Sequence, residues 1–257
     1  MTDTSGSPRA AGGEGPAPRQ PKPHIAGSEP PRWLALASHE LRSDLNGIVG
    51  YVDLLESEIL GAVNARQEAH LARIRASSLH MLELIEQIND LSRIDSHGWD
   101  LVWERVDARA EAERAAAKIR PEIEGKDLAF RLELAPGPIP LDTDLDLLRR
   151  VLLILLSNAV RSTDLGAVIL SVDQGGGSVW FRVRDTGPGI PEEAREAVFE
   201  PFSQSTSDRG GGHAKGLGLT VARRFARIMG GDVTVEDAPG RGSVFSVRVP
   251  AVRPGAQ

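Results

Sequence analysis

The sequence predicts a helical segment followed by an α/β segment, and two hydrophobic patterns carry this prediction. Residues 31–97 place apolar side chains alternately three and four positions apart, which is the period of helices that pack along a seam. Residues 98–253 instead alternate period-two apolar runs with amphipathic helical stretches. That combination is typical of a mixed sheet with helices packed on one face. We therefore expect a helical hairpin and then an α/β sandwich.

The first helix is predicted to begin at Pro30 and Pro31, because the first helical turn does not need the N–H groups that proline lacks. Its seam consists of Leu34, Ser38, Leu41, Leu45, Ile48, Val52, Leu55 and Ile59. After a turn at 61–64, the second seam consists of Leu71, Ile74, Ser78, Met81, Ile85 and Ile88. One antiparallel hairpin leaves such a seam exposed, whereas two hairpins bury it. The pattern therefore predicts a homodimer that forms a four-helix bundle.

The second segment predicts five strands and three helices. The strands are expected at 128–134, 167–172, 179–183, 233–235 and 245–249, where apolar residues alternate with polar ones. The helices are expected near 107–120, 144–161 and 216–230.

Composition limits the possible functions. The 257 residues carry a formal net charge of -6 and no cysteine. The charge gives no electrostatic case for nucleic acid or an anionic membrane surface, and the missing cysteine excludes disulfides and thiolate metal sites. The longest aliphatic run, 151–156, is too short to cross a bilayer, so we expect no membrane span and a cytoplasmic location. The proline- and glycine-rich residues 1–30 are predicted to form a disordered tail or linker.

His39 follows the seam residue Ser38 by one position, so it is predicted on the flank of the first helix. A single helix histidine is usually a solvated side chain without chemistry. A neutral imidazole is nonetheless a nucleophile near pH 7, and a flank position leaves room for a large phosphoryl donor.

Four short motifs follow in the second segment, and each has an ordinary structural explanation. They are Leu155–Arg161 around Asn158, Asp185–Ile190, Val198–Phe202 and Lys215–Leu219. A helical Asn is a buried hydrogen-bonded amide or an oxygen ligand for Mg²⁺. Glycines after a strand or before a helix mark a turn, or they let a ligand approach the backbone. We interpret the two aromatics of the third motif as packing residues that anchor a loop.

Residues 37–48 resemble the phosphoacceptor box of two-component sensor histidine kinases, and the four later motifs resemble the ATP-binding boxes of that family in the same order. The resemblance implies a Bergerat-type α/β sandwich of the GHKL superfamily, with ATP and Mg²⁺ bound. It implies that His39 is autophosphorylated, that Glu40 is its general base and that Ser43 orients water for phosphatase activity. The phosphoryl group would then pass to an aspartate on a separate response regulator.

The same resemblance implies roles in the nucleotide site. Asn158 corresponds to the Mg²⁺ ligand, Asp185 to the residue that accepts a hydrogen bond from adenine, and Arg161 and Lys215 to phosphate contacts. Gly187 and Gly189 would approach the base. Gly216, Leu217 and Gly218 would form the phosphate-binding turn.

Two positions depart from the family pattern. Asp44 stands where proline is usual, and Ile154 stands where an Asn is usual, four residues before Asn158. Ile154 either slows the chemistry or leaves it to another group such as Glu40. One alternative function is therefore a degenerate kinase or scaffold that binds ATP without turnover. A second is a chaperone- or topoisomerase-like GHKL ATPase, a class that lacks the phosphoacceptor helix.

Overall fold

A computed structural model describes residues 32–57, 59, 61–97, 99–203 and 216–255 of the chain, and of 32–36 and 95–97 only the backbone. The predicted tail over residues 1–30 and the predicted phosphate contact Lys215 lie outside the described residues.

Two long helices form an antiparallel hairpin, as predicted. They are α1 (Arg32–Glu56) and α2 (Ala65–His97). Asn64 starts α2, because its Oδ1 accepts hydrogen bonds from the backbone N–H groups of Arg66 and Gln67 while Gln67 Oε1 accepts one from Asn64 N–H. Helix α1 continues without a break through Asp44.

Six of the thirteen predicted seam positions whose side chains the structure describes are buried inside the hairpin. The buried positions recur every seven residues and are Ser38, Leu45 and Val52 on α1 and Leu71, Ser78 and Ile85 on α2. The intervening seam positions remain open: Leu41 is 51% exposed, Ile48 42% and Ile74 45%. Each hairpin therefore presents an apolar stripe that a single chain does not cover.

A small antiparallel sheet, which the sequence analysis did not predict, follows the hairpin. It pairs β1 (Trp103–Asp107) with β3 (Pro140–Asp144). Neither strand has alternating apolar residues, because each ends in an aspartate that caps the following helix. Asp107 accepts a hydrogen bond from Arg109 N–H at the start of the next helix, and Asp144 accepts one from Leu147 N–H in the same way.

The main sheet has five strands in the order β2-β4-β5-β7-β6. Their bounds are β2 (Ala129–Leu134), β4 (Ala167–Gly175), β5 (Ser178–Asp185), β6 (Asp232–Asp237) and β7 (Ser243–Pro250). The pair β2–β4 is parallel and the other pairs are antiparallel, which confirms the predicted mixed sheet.

Three helices pack on one face of this sheet. They are α3 (Ala108–Glu124), α4 (Leu145–Ser162) and α5 (Gly218–Ile228). One row of apolar side chains crosses all five strands in register: Leu132, Leu170, Val183, Phe245 and Val235. All of these except Leu132 are buried, as are Leu155 and Leu156 on α4. The predicted α/β sandwich is therefore confirmed. Of the helices that the structure describes, none combines the length and the apolar character that crossing a bilayer requires.

Candidate functional site

Asp185 is the last residue of β5, and it is only 2% exposed. Its Oδ1 accepts hydrogen bonds from Gly187 N–H at 2.8 Å and Ser243 N–H at 3.3 Å. Burial raises the pKa of Asp185 above its ordinary value, although the two hydrogen bonds act in the opposite direction. Because both hydrogen bonds from described residues use Oδ1, Oδ2 is left to accept a hydrogen bond from a ligand.

The backbone closes tightly around Asp185. A Cβ at Gly187 would lie 2.7 Å from the backbone oxygen of Ser162 and 2.9 Å from Asp185 Oδ1. Gly242 has φ +103°, and a Cβ there would overlap the backbone oxygen of Asp185. Gly189 has φ +83° and faces Gly242. Packing around the carboxylate therefore requires Gly187 and Gly242 even before a ligand is considered.

Asn158 and Arg161 lie in the last turns of α4. Asn158 is half-buried, and its side chain makes no hydrogen bond to any described residue. The explanation of Asn158 as a structural, hydrogen-bonded amide is therefore not supported, and its oxygen is available to a ligand.

Lys126 holds the C-terminal end of α4. Its Nζ donates hydrogen bonds to the backbone oxygens of Val160 at 2.9 Å, Arg161 at 3.2 Å and Thr163 at 3.4 Å. These carbonyls have no partner within the helix, and a cation is favoured beside them. Lys126 thereby fixes the turn that carries Arg161.

The predicted phosphate-binding turn lies at the start of α5. Gly216 is exposed, Leu217 is 2% exposed and Gly218 is the first helical residue. Buried Leu217 anchors the turn to the core. A Cβ at Gly218 would lie 3.3 Å from Ile154 Cγ2 and 3.4 Å from Gln87 Nε2, so α4 and α2 both reach this turn.

The side chains of His39, Glu40 and Ser43 are exposed on α1. The neighbouring Ser38 is buried and its hydroxyl donates a hydrogen bond to Asn89 Oδ1 on α2 at 2.9 Å. This hydrogen bond fixes the position of His39 along the hairpin axis. That position is next to the part of α2 that contacts the α/β domain.

Helix α2 contacts α4 through two ion pairs. Arg150 Nη1 donates to both carboxylate oxygens of Asp90, at 2.7 and 2.6 Å. Arg161 Nη1 lies 3.5 Å from Glu83 Oε2. Burial raises the pKa of Asp90, with Arg150 acting in the opposite direction. In this arrangement Arg161, predicted as a phosphate contact, is paired with a carboxylate of the hairpin.

The third motif is only partly a packing element. Phe199 is buried and meets Phe245 edge to face, with ring centroids 6.4 Å apart. Phe202 is 63% exposed and has φ +57°, so the prediction that both aromatics anchor the loop is wrong for Phe202.

The donor set suits Mg²⁺ better than a soft metal. The described residues contain no group of three or more His, Cys, Asp or Glu side chains that could hold a metal ion. Mg²⁺ commonly takes one or two protein oxygens and completes its shell with phosphates and water. The side-chain oxygen of Asn158, free of any described partner, fits that requirement.

Two family models match the chain. Residues 32–97 match the His Kinase A (phospho-acceptor) domain, and residues 143–253 match the Histidine kinase-, DNA gyrase B-, and HSP90-like ATPase. The chain belongs to the two-component sensor histidine kinases. The match of the hairpin excludes the alternative of a GHKL ATPase without a phosphoacceptor helix.

Similar curated histidine kinases are much longer than this chain. Histidine protein kinase DivJ of Caulobacter vibrioides is 32% identical over 222 residues, which are 86% of this chain and 37% of DivJ. Sensor histidine kinase RcsC of Escherichia coli is 35% identical over 220 residues, which are 85% of this chain and 23% of RcsC. The matched part of the chain therefore spans 23% of RcsC and 37% of DivJ.

Solved histidine kinases share the fold. Full-length ShkA in complex with AMPPNP matches with a TM-score of 0.68 and 32% identity, over 88% of this chain and 47% of ShkA. Histidine kinase ThkA in complex with the response regulator protein TrrA matches with a TM-score of 0.62 and 19% identity, over 88% of this chain and 63% of that one.

The sequence analysis did not identify the residues through which the hairpin of this histidine kinase contacts the α/β domain. Glu83, Gln87 and Asp90 interrupt α2 with polar side chains four and three residues apart, which is a helical stripe. That spacing was visible in the sequence. Its partner surface was not, since Arg150 and Arg161 lie at least 60 residues further along the chain.

Proposed function

We propose that this histidine kinase transfers the γ-phosphoryl group of ATP to His39 and then to an aspartate of a separate response regulator. The observation that carries the proposal is that α1 and α4 contact neighbouring residues of α2. Ser38 bonds Asn89 beside His39, and the adjacent Asp90 binds Arg150 on α4, the helix that bears Asn158. The turn of α1 that carries His39 and the helix α4 therefore contact adjacent residues of α2, which supports the proposal.

The adenine base is proposed to lie against the end of β5. Oδ2 of Asp185 accepts a hydrogen bond from the exocyclic amine, and the fixed orientation of the carboxylate favours that geometry. Gly187 and Gly189 leave the backbone open towards the base. This role for Asp185 is supported by its burial at a strand end with one oxygen uncommitted.

The phosphates are proposed to lie between α4 and α5. Gly216, Leu217 and Gly218 present the positive end of α5 to the anion, and Lys215 adds a point charge. Asn158 supplies an oxygen to Mg²⁺, which neutralises charge on the phosphates when bound. Arg161 exchanges its exposed contact with Glu83 for a phosphate oxygen.

In the phosphorylation step, a neutral imidazole nitrogen of His39 forms a bond to the γ-phosphorus. The bond from that phosphorus to the β–γ bridging oxygen breaks, and ADP leaves with the electron pair. The proton on the other ring nitrogen passes to Glu40. In the second step a carboxylate oxygen of the response regulator's aspartate forms a bond to the phosphorus, the bond from phosphorus to the His39 nitrogen breaks, and the ring regains a proton. Ser43 would orient a water that later hydrolyses the aspartyl phosphate.

The kinase is proposed to act as a homodimer. The uncovered stripe that includes Leu41, Ile48 and Ile74 has the seven-residue repeat of a helix-bundle seam. Pairing two hairpins along it forms the four-helix bundle and removes apolar surface from water.

The test is incubation with γ-labelled ATP and Mg²⁺. Wild-type protein should acquire acid-labile, base-stable label, and His39→Gln should acquire none. His70→Gln is a matched control, because His70 is also exposed but lies on α2. Asn158→Ala should lose most of the label. Label that persists in His39→Gln would refute the phosphoacceptor assignment, and ATP binding without any label would favour the degenerate kinase.

A further inference from the structure

Two helical stripes are joined by ion pairs between α2 and α4. On α4 the positions are spaced four, four and three apart, and on α2 four and three apart, so each set lies on one helix face. The α4 stripe is Arg150, Ile154, Asn158 and Arg161, and the α2 stripe is Glu83, Gln87 and Asp90. The ion pairs Arg150–Asp90 and Arg161–Glu83 close the two ends. The order of the two ion pairs makes the stripes antiparallel, with Gln87 between the pairs on α2 and with Ile154 and Asn158 between them on α4.

The described contacts agree with that register. The point where a Cβ of Gly218 would lie is 3.3 Å from Ile154 Cγ2 and 3.4 Å from Gln87 Nε2. The amide of Gln87 and the side chain of Ile154 therefore both approach the first turn of α5.

The oxygen of the Gln87 amide accepts no hydrogen bond from the described part of the fold. Gln87 Oε1 is buried and has no hydrogen-bond partner among the described residues. A buried amide oxygen is unfavourable until a donor, a water or a cation meets it. Ile154 cannot supply any of these, and it cannot serve as an oxygen ligand beside Asn158.

We propose that Gln87 Oε1 is an oxygen ligand, direct or through one bound water, of the Mg²⁺ that accompanies the nucleotide. This inference rests on the proposed function. Asn158 would bind the metal from α4, and Gln87 would bind it from α2, supplying the oxygen that Ile154 cannot provide. The hairpin thereby contributes a ligand to a site that the α/β domain alone leaves incomplete.

A metal ligand on α2 links nucleotide binding to docking of the hairpin. Binding of the metal–nucleotide pair favours the state in which α2 lies on α4, and that state keeps the height of His39 matched to the site. In the absence of the metal, Gln87 does not increase the affinity for the nucleotide.

The experiment is calorimetric titration of the full chain with AMPPNP, once with Mg²⁺ and once with EDTA. For Gln87→Leu we expect the Mg²⁺-dependent gain in affinity to fall by about tenfold, with the affinity in EDTA unchanged. Gln87→Glu should keep or increase the gain, because a carboxylate oxygen is also a good Mg²⁺ ligand. Glu86→Leu, at the adjacent exposed position, should behave as wild type.

Three outcomes would overturn the inference. An unchanged Mg²⁺ gain in Gln87→Leu would remove the metal contact. Tighter binding of AMPPNP by Gln87→Leu both with and without Mg²⁺ would instead identify Gln87 as an obstruction above Gly218. Loss of the Mg²⁺-dependent gain in affinity in Gln87→Glu would also argue against a metal contact at Gln87, even if the leucine variant does not fold. Wild-type protein that binds no AMPPNP would refute the proposed function as well, whereas these three outcomes leave it standing.

Discussion

Arg150 and Asp90, which are 60 residues apart in sequence, form a charge-assisted contact in which one guanidinium nitrogen meets both carboxylate oxygens. Asp90 is 8% exposed, while the side chain of Arg150 is 46% exposed. Trp99, which follows α2 in the chain, meets Phe225 on α5 edge to face with ring centroids 5.3 Å apart. These contacts determine how the hairpin is held against the α/β domain.

The Arg150–Asp90 contact should couple the two parts of the chain measurably. In a double-mutant cycle with Arg150→Gln and Asp90→Asn, we expect a coupling energy on the order of 1 kcal/mol, reduced from a fully buried pair by the exposure of Arg150. Thermal unfolding of the four proteins measures it. Arg105→Gln is a matched control, because Arg105 pairs with Asp142 within the small sheet. Strict additivity of the two single changes would show that the contact does not contribute to docking.

Gly242 should tolerate alanine less well than Gly240 in the same turn. Both have positive φ, +103° and +96°, but only a Cβ at Gly242 meets the backbone of Asp185. Gly240→Ala should cost about 1 kcal/mol of unfolding free energy from backbone strain. Gly242→Ala should cost about 1–3 kcal/mol more from overpacking and should weaken nucleotide binding. Urea unfolding compares the two, and equal costs would contradict the close approach to Asp185.

Removing the charge of Lys126 should loosen the end of α4. Lys126→Met deletes three hydrogen bonds to backbone oxygens, and we expect a loss of about 1–2 kcal/mol in unfolding free energy. Lys118→Met is a matched control on the exposed face of α3. Amide hydrogen exchange near Thr163 should accelerate only in Lys126→Met. If both variants exchange alike, Lys126 does not cap α4.

Asp185 should make stability depend on pH in a defined direction. Its folded-state pKa is raised above the ordinary value of 3.8, so between those two values the folded state binds a proton that the unfolded chain does not. Its stabilising contribution is therefore present at low pH and is lost as pH rises through the folded pKa. Relative to Asp185→Asn, the wild type should lose unfolding free energy over that window and then level off.

Urea unfolding of both proteins at a series of pH values from 3.8 upward measures this difference. A gap between wild type and Asp185→Asn that widens in favour of the wild type as pH rises would contradict the raised pKa.

The uncovered seam should govern oligomeric state. Ile48→Asp places a charge in the stripe that two hairpins would share, so we expect the dimer to dissociate to monomers in light scattering after gel filtration. Leu165→Asp is a matched control, since Leu165 is 83% exposed in a loop of the α/β domain. A dimer that survives Ile48→Asp would mean that the chain pairs through another surface.

The sequence predicted those elements whose side chains follow a regular period. Buried side chains recur every two residues at Val168, Leu170 and Val172 on β4, and every seven residues at Leu45 and Val52 on α1. The small sheet was not predicted, because Asp107 and Asp144 serve as helix caps at its strand ends. Apolar and polar residues therefore do not alternate along its strands.

The sequence by itself determined the two-part architecture, the phosphoacceptor segment and the order of the nucleotide motifs, because all of these depend on spacing along the chain. Only the tertiary structure decided which residues meet across the two parts: Asp90 with Arg150, Glu83 with Arg161, and Gln87 with the start of α5. Such contacts depend on the relative placement of helices distant in sequence. That placement follows from packing of the whole molecule and leaves no periodic signal in either segment.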